Sequence, residues 1–242
     1  MCIRDRTNPG AYYAGANAIV LQESLQTAQA EASETEAAVG AALGVWTCPT
    51  DTVAVTAQIG AIAPVIGDRA VLADLVVLPK PYGPGRDTED VVITEAALFR
   101  TRVPLLVVPP GHQSNVAPDR VVIAWNESPE ALAAVRGAMD FLRAADTVDI
   151  AIIDPPQHGA DRSDPGGALA EMLSRHGVRA DVSVIAKTMP RISDVLARHC
   201  DDREAGLLVM GAYGHSRLRE AILGGATRNM LEMADIPVLM AH

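Results

Sequence analysis

A cluster of glycines near the end of the chain is the feature that most suggests chemistry. The stretch "VMGAYGHSRLREAILGGAT", residues 209–227, follows an apolar run and spaces three glycines as G-x2-G-x9-G, at Gly211, Gly214 and Gly224. Glycines let backbone N–H groups approach phosphate oxygens, and a helix N-terminus adds unpaired donors and a favourable dipole. The spacing therefore indicates an anion site, and the alternative that these glycines are only turn residues stays open.

The charges of the same stretch also favour an anion. Three arginines and one glutamate lie between residues 209 and 228, which gives a local net charge of 3 − 1 = +2 in a chain whose formal net charge is −10. Ser216 and Thr227 add hydroxyl groups. Because the overall charge opposes binding to nucleic acid or to an anionic membrane surface, we expect neither partner, and any anion site must be local.

Other catalytic or metal chemistry has little support in the sequence. His215 stands next to Ser216, but no acidic residue is placed to orient the imidazole, so we expect no catalytic residue and no enzyme activity beyond weak hydrolysis. The three cysteines lie far apart without a CxxC pair, which predicts no metal site and favours a reducing cytoplasm. No GxxxxGK[ST] or GxGxxG pattern is present, and no apolar run reaches the roughly 18 residues of a membrane span.

The elements that must position the glycine loop belong to an internal repeat. "ADLVVL" at 73–78 recurs as "AGLLVM" at 205–210, an offset of 132, and "VPLLVVP" at 103–109 recurs as "IPVLMAH" at 236–242, an offset of 133. The segment between the copies is rich in proline and polar residues, which is typical of a linker. We therefore predict an incomplete domain at 1–108, a linker at 109–119 and a complete domain at 120–242.

The complete copy alternates strand and helix patterns without interruption. Apolar runs at 121–125, 148–153, 180–186, 207–210 and 237–240 predict five strands, and helical spacing fills every gap. Ser128-Pro129 and Asp164-Pro165 predict two helix starts. This order predicts an α/β fold with an open, parallel, doubly wound five-stranded sheet, whose ligand crevice lies at the carboxyl ends of the strands.

The first copy is incomplete, because the offset places its first strand and first helix before Met1, and residues 16–35 show helical spacing where its second strand would stand. What remains predicts a helix over 16–35, a strand at about 45–56, a helix over 58–70 interrupted by Pro64, and then strand, helix and strand. Its loop at 79–92 lacks the glycine spacing and is acidic, so we expect it to bind no nucleotide. We also predict that this half is the less stable one, and that "MCIRDRTNPG" is not the natural start of the domain.

Together, the tandem order, the Gly211, Gly214 and Gly224 pattern before the last helix and strand, and "VVIAWNESPEA" at 121–131 resemble the universal stress protein family. The resemblance covers residues 120–242 well and 40–108 in outline. It implies an adenine nucleotide alpha hydrolase-like fold and a cytoplasmic regulatory protein that binds ATP or AMP, with Mg as an accompanying ion. It also implies pairing through the last strands, either between the two copies or in a homodimer.

The resemblance assigns phosphate and ribose contacts to the glycine loop, ribose and base contacts to Asn126, and the adenine pocket to Ile153. Two positions depart from the family pattern, since Gly225 stands where the family has Ser or Thr, and Asn126 stands where it has Asp. A nucleotide-free module that pairs with partners through sheet edges, and a slow nucleotide hydrolase, are the alternatives. The predicted nucleotide-binding residues are Trp125, Asn126, Ser128, Ile153, Met210, Gly211, Gly214, His215, Ser216, Arg217, Gly224, Gly225, Ala226 and Thr227.

Overall fold

The computed structural model describes residues 16–112, 118–155, 164–212 and 225–242, which form one seven-stranded sheet with helices packed on it. The helices are α1 (Ala16–Leu43), α2 (Ile59–Ala70), α3 (Thr88–Thr101), α4 (Pro129–Gly137), α5 (Met139–Ala144), α6 (Gly167–Arg175), α7 (Ile192–Asp202) and α8 (Gly225–Met233). The strands are β1 (Val76–Pro79), β2 (Leu105–Val108), β3 (Arg120–Ala124), β4 (Thr147–Ile153), β5 (Ala180–Ile185), β6 (Leu207–Gly211) and β7 (Val238–Ala241). No helix in these ranges is long and apolar enough to cross a membrane.

The strand order is β1-β2-β7-β6-β3-β4-β5. Strands β3 to β7 pair in parallel throughout, which confirms the predicted doubly wound α/β sheet of the second copy. Strands β1 and β2 pair in parallel with each other, and β2 pairs antiparallel with β7. The two strands of the first copy therefore extend the same sheet, but run in the opposite direction.

The helix start predicted at Ser128-Pro129 is confirmed. The Ser128 Oγ accepts a hydrogen bond from the Ala131 N–H at 3.1 Å, and Pro129 is the first helical residue. The start predicted at Asp164 is wrong, because α6 begins only at Gly167. Gly166 is pressed against the sheet, where an added Cβ would lie 2.8 Å from a methyl group of Val182, so the helix forms only after this contact.

The strand predicted at about 45–56 is also wrong. The structure describes all of these residues, and only Ala54 forms an isolated bridge. In the complete copy, the corresponding strand β5 pairs with β4. The residues that correspond to 148–153 of β4 by the offset of 132 lie in helix α1, so the β-like sequence at 45–56 has no strand to pair with in the described residues. Local propensity alone does not make a strand.

Two apolar clusters hold the sheet between its helices. The first joins α2 and α3 of the first copy to α7 and α8 of the second, with Ile62, Leu98 and Met230 fully buried. The second lies under α4, α5 and α6, with Ile123 and Leu239 at its centre. Helix α1 is different, because none of its residues from 22 to 43 is buried.

Candidate functional site

The carboxyl ends of β3, β4 and β6 meet at one edge of the sheet. Ala124 at the end of β3 is in register with Ala151 of β4 and with Met210 of β6. The residues after these strands, including Asn126 and Gly211, therefore lie close together. Helix α8 connects β6 to β7, so its N-terminus at Gly225 points to the same edge.

Gly211 is required by packing against α4. A Cβ atom at this position would lie 2.5 Å from the Ala131 backbone N and 2.8 Å from the Glu130 carbonyl carbon. Real Cβ atoms do not approach backbone atoms so closely, so only glycine lets the end of β6 pack against the first turn of α4. For Gly211, the turn-and-packing interpretation is therefore sufficient.

Gly225 differs from Gly211, because it is not pressed against backbone atoms of the described residues. A Cβ atom added there would meet no heavy atom of the described residues within 4 Å, and Gly225 is exposed at the first described position of α8. The first N–H groups of a helix have no intrahelical partner, so open space beside them suits an anion. Ala226 is exposed as well, whereas Thr227 is only 4% exposed and its side chain is enclosed by protein.

Asn126 forms the turn between β3 and α4. Its Oδ1 accepts a hydrogen bond from the Ser128 N–H at 3.2 Å, and Glu127 between them has a positive φ of 61°. Ser128 is buried and its hydroxyl oxygen is engaged as the N-cap of α4. Asn126 is exposed, and its amide N–H groups make no hydrogen bond that the structure describes, so they are free to donate to a ligand.

Glu130, in the first turn of α4, has a polar atom that the sequence pattern did not single out. Its Oε2 atom is buried and has no hydrogen-bond partner within the described ranges. A buried carboxylate oxygen without a donor is costly, and a ligand hydroxyl or amine would satisfy it. An acidic residue in the first turn of a helix is ordinary, so no sequence pattern distinguishes this one.

The apolar residues that were predicted to line the nucleotide site also pack in the two apolar clusters. Met210 is buried in the first cluster, and the half-buried Ile153 packs against it. Trp125 is half-buried and packs against the second cluster, so at least part of its side chain serves the core. Gly214, His215, Ser216, Arg217 and Gly224 lie outside the described residues.

No reactive nucleophile stands out in the described part of the chain. Burial raises the pKa of the Cys200 thiol to about 12, with Asp201 and Asp149 adding to the effect, so the thiol is protonated at neutral pH. Asp149 lies between His199 and the Ser183 hydroxyl, which donates to it at 2.6 Å, and these polar groups satisfy one another. No group of three or more metal-ligating side chains occurs within the described ranges.

The chain was compared with known proteins. Residues 118–242 match the model of the universal stress protein family. The universal stress protein Slr1230 of Synechocystis sp. is 28% identical over 145 residues, which are 56% of this chain and only 46% of that protein. The chain thus spans about half the length of this curated relative.

Two solved structures share the fold. A universal stress protein from Archaeoglobus fulgidus DSM 4304 is 15% identical, with a TM-score of 0.70 over 90% of this chain and 78% of that one. A Pseudomonas aeruginosa UCBPP-PA14 protein described as a universal stress protein is 14% identical, with a TM-score of 0.55 over 86% of this chain and 77% of that one. Since the family model covers half of the sequence and the fold agrees, this chain belongs to the universal stress protein family.

Proposed function

We propose that the second copy binds an adenine nucleotide, ATP or AMP, at the edge formed by β3, β4, β6 and α8. The protein would use the nucleotide as a regulatory signal in the cytoplasm, with little turnover. The observation that carries the proposal is the exposed N-terminal end of α8 at Gly225, where a Cβ atom would contact none of the residues that the structure describes. Family membership and the unpaired carboxylate oxygen of Glu130 support it.

The polar groups at this edge suit different parts of a nucleotide. The first N–H groups of α8 would take phosphate oxygens, and the Asn126 amide would donate to the ribose or the base. The buried oxygen of Glu130 would accept from a ribose hydroxyl. Mg²⁺, when it accompanies ATP, would keep most of its ligands from phosphate and water, as this ion usually does. We expect an affinity between about 1 μM and 1 mM, or about −8 to −4 kcal/mol.

Substitutions at Gly225 test the proposal without disturbing the fold, because the position is exposed and open. Gly225→Glu places bulk and negative charge beside the helix N-terminus, where a carboxylate favours the helix but repels phosphate. We expect it to abolish ATP binding in calorimetry while the melting temperature stays the same or rises. Unchanged ATP affinity in this variant would show that the nucleotide does not bind at this edge of the sheet.

Gly225→Ser is the matched variant, since it restores the family's hydroxyl at the same position. One hydrogen bond to a charged group contributes about 1.5 kcal/mol, so ATP should bind roughly tenfold more tightly. Adenine nucleotide should also be detectable by mass spectrometry in protein purified without added ligand. A phosphate-release assay on the same sample distinguishes binding from slow hydrolysis.

One observation favours a second candidate function, an interaction module that pairs through a sheet edge. Strand β1 is an edge strand of the sheet, and its Val77 is 56% exposed. An edge strand presents unpaired N–H and C=O groups to a further strand. A purified protein that lacks nucleotide, and that calorimetry shows to bind none, would favour this function over the first.

A further inference from the structure

Strand β1 directs backbone hydrogen-bonding groups away from β2, toward the edge of the sheet. The Val76 N–H donates to the Pro104 carbonyl at 2.9 Å, and the Lys80 N–H donates to the Val108 carbonyl at 3.0 Å. Since neighbouring residues of a strand direct their backbone groups to opposite sides, the N–H and C=O groups of Val77 point away from β2. None of the strands that the structure describes pairs with this side of β1.

The internal repeat indicates that this edge has room for another strand. By the offset of 132, Val77 is equivalent to Val209 of β6, and helices α2 and α3 are equivalent to α7 and α8. On this side β6 pairs with β3, so helices in these positions leave space for one more strand. Beside β1 that space is open to solvent, because Val77 is 56% exposed.

The turn that leads into β1 is apolar, whereas its equivalent in the second copy is charged. In the second copy this turn is Arg203-Glu204, and both side chains form hydrogen bonds with residues of the neighbouring strands β5 and β3. The equivalent residues Val71 and Leu72 are 50% and 93% exposed. Exposed apolar residues beside an open sheet edge favour contact with another protein.

The sequence around β1 is complementary to itself in the antiparallel direction. In a pair centred on Val77, this residue lies opposite its own copy, and Leu75 lies opposite Pro79 of the other chain. The N–H groups of Leu75 and Val77 both face this edge, so each chain donates a hydrogen bond to a Pro79 carbonyl and one to a Val77 carbonyl. Asp74 lies opposite Lys80, which places opposite charges together at both ends of the pair.

The end of β1 is held firmly against the second copy. The Lys80 ammonium group donates to the Ala234 carbonyl at 3.1 Å, and the Tyr82 ring lies 5.4 Å from the guanidinium carbon of Arg228 on α8. An ammonium group has three donors, so Lys80 can keep this hydrogen bond and also pair with Asp74 of another chain. A strand that is already fixed loses little freedom on pairing, which favours association.

We propose that a second copy of this chain binds at β1, antiparallel and about a two-fold axis at Val77, so that the two seven-stranded sheets become continuous. The chain already extends its sheet in this way once, at the antiparallel pairing of β2 with β7. The proposal rests on the edge-pairing function given above and does not depend on nucleotide binding. Because the same strand serves both chains, the dimer is closed and leaves no edge of β1 open.

Sedimentation equilibrium of the full chain measures this dimer. One short strand pair is a small interface, so we expect a Kd on the order of 10–100 μM. Val77→Lys places two ammonium groups side by side on the axis, and we expect the Kd to rise by at least about tenfold. Val184→Lys is the matched control, because Val184 is 59% exposed on β5, the edge strand at the other end of the sheet, and the wild-type Kd is expected from it.

Disulfide cross-linking tests the position of the axis. A residue on the axis faces its own copy with the two Cα atoms about 5.5 Å apart, a distance that a disulfide spans. In a Cys2→Ser, Cys48→Ser background, mild oxidation of the Val77→Cys protein should therefore give a covalent dimer. Val184→Cys in the same background should remain monomeric in a non-reducing gel.

Charge reversal tests the register. Asp74→Lys places like charges opposite each other at both ends of the strand pair, and we expect the Kd to rise by about fivefold. Combining it with Lys80→Asp restores opposite charges and should bring the Kd back toward that of the wild type. The melting temperature of the double variant shows whether the loss of the Lys80 hydrogen bond disturbs the fold.

The outcomes distinguish this proposal from nucleotide binding. A monomer at every concentration up to about 1 mM, or a Val77→Lys protein that dimerises like the wild type, would overturn pairing at β1, whether or not ATP binds. Equal losses in Val77→Lys and Val184→Lys, or no covalent dimer from Val77→Cys, would overturn it as well. A dimer that binds neither ATP nor AMP in calorimetry would contradict the nucleotide function and leave pairing at β1 standing.

Discussion

The unit β1-α3-β2 of the first copy and the unit β6-α8-β7 of the second have the same order but different surroundings. Gly211 ends β6 in register with Ala241, and Pro79 ends β1 in register with Val108, so these two residues occupy equivalent positions. Gly211 is pressed against α4, and a glycine is required there. Pro79 is exposed, so the described structure has no such close approach at the equivalent position of the first copy. The neighbours, rather than the local pattern, determine which residue each position needs.

The largest expected difference between the copies is in their local stability. Cys48 is exposed in the first copy, and Cys200 is buried in the second, with a pKa of about 12. In a Cys2→Ser background at pH 8, a thiol reagent should label Cys48 at once and Cys200 more than 10³-fold more slowly, because Cys200 reacts only after its core opens.

Limited proteolysis is a second measurement of the difference in local stability between the two copies. The first cuts should fall within residues 45–58, which form no helix or regular strand, and not within residues 120–242. Early cleavage in the second copy, or labelling of the two cysteines at similar rates, would contradict the predicted order of stability.

The two copies meet at a joint where β2 pairs antiparallel with β7. Two leucines that face each other there allow the packing of the copies to be compared directly. Leu106 of β2 and Leu239 of β7 are directly opposite each other, but Leu239 is fully buried and Leu106 only half-buried. We expect Leu239→Ala to lower the free energy of unfolding by about 3 kcal/mol and Leu106→Ala by about 1 kcal/mol. Urea unfolding of both variants measures the two values, and equal losses would mean that the first copy is as well packed as the second.

The smallest effect is expected at the two equivalent strand ends. Gly211→Ala brings a Cβ atom against the backbone of α4, and we expect a loss of about 2 kcal/mol in the free energy of unfolding. Pro79→Ala, its counterpart in the first copy, should change this free energy by less than about 0.5 kcal/mol, because the residue is exposed. A loss at Pro79 as large as that at Gly211 would show that the equivalence is wrong.

The sequence predicted the fold of the second copy well because β3, β4, β5 and β6 pair only with strands of the same copy, and β7 also pairs with β6. Local pattern and tertiary structure therefore agree, as they do at the Ser128 cap. The prediction failed at 45–56, where the pattern is typical of a strand but the residues equivalent to its partner strand lie in helix α1. The sequence pattern also assigned both Gly211 and Gly225 to phosphate binding. Spacing alone does not show that a Cβ atom at Gly211 would meet the backbone of α4, whereas one at Gly225 would meet no described residue.

The polar features of the candidate site were predicted less completely. Asn126 follows a strand and was identified by position, but the unpaired oxygen of Glu130 depends on burial, which a single acidic residue in a helix does not reveal. The contact of Arg228 with Tyr82 joins residues 146 positions apart in the sequence, and no local pattern predicts it.

The antiparallel pairing of β2 with β7 has a consequence for how the molecule responds to dilution. One chain supplies both strands of this joint, and the eleven residues from 109 to 119 link β2 to β3 and so tie β2 to the copy that contains β7. The effective concentration of one strand at the other is therefore set by this linker and not by the amount of protein in solution. The contact between Tyr82 and Arg228 across the joint should persist at any protein concentration at which the chain remains folded.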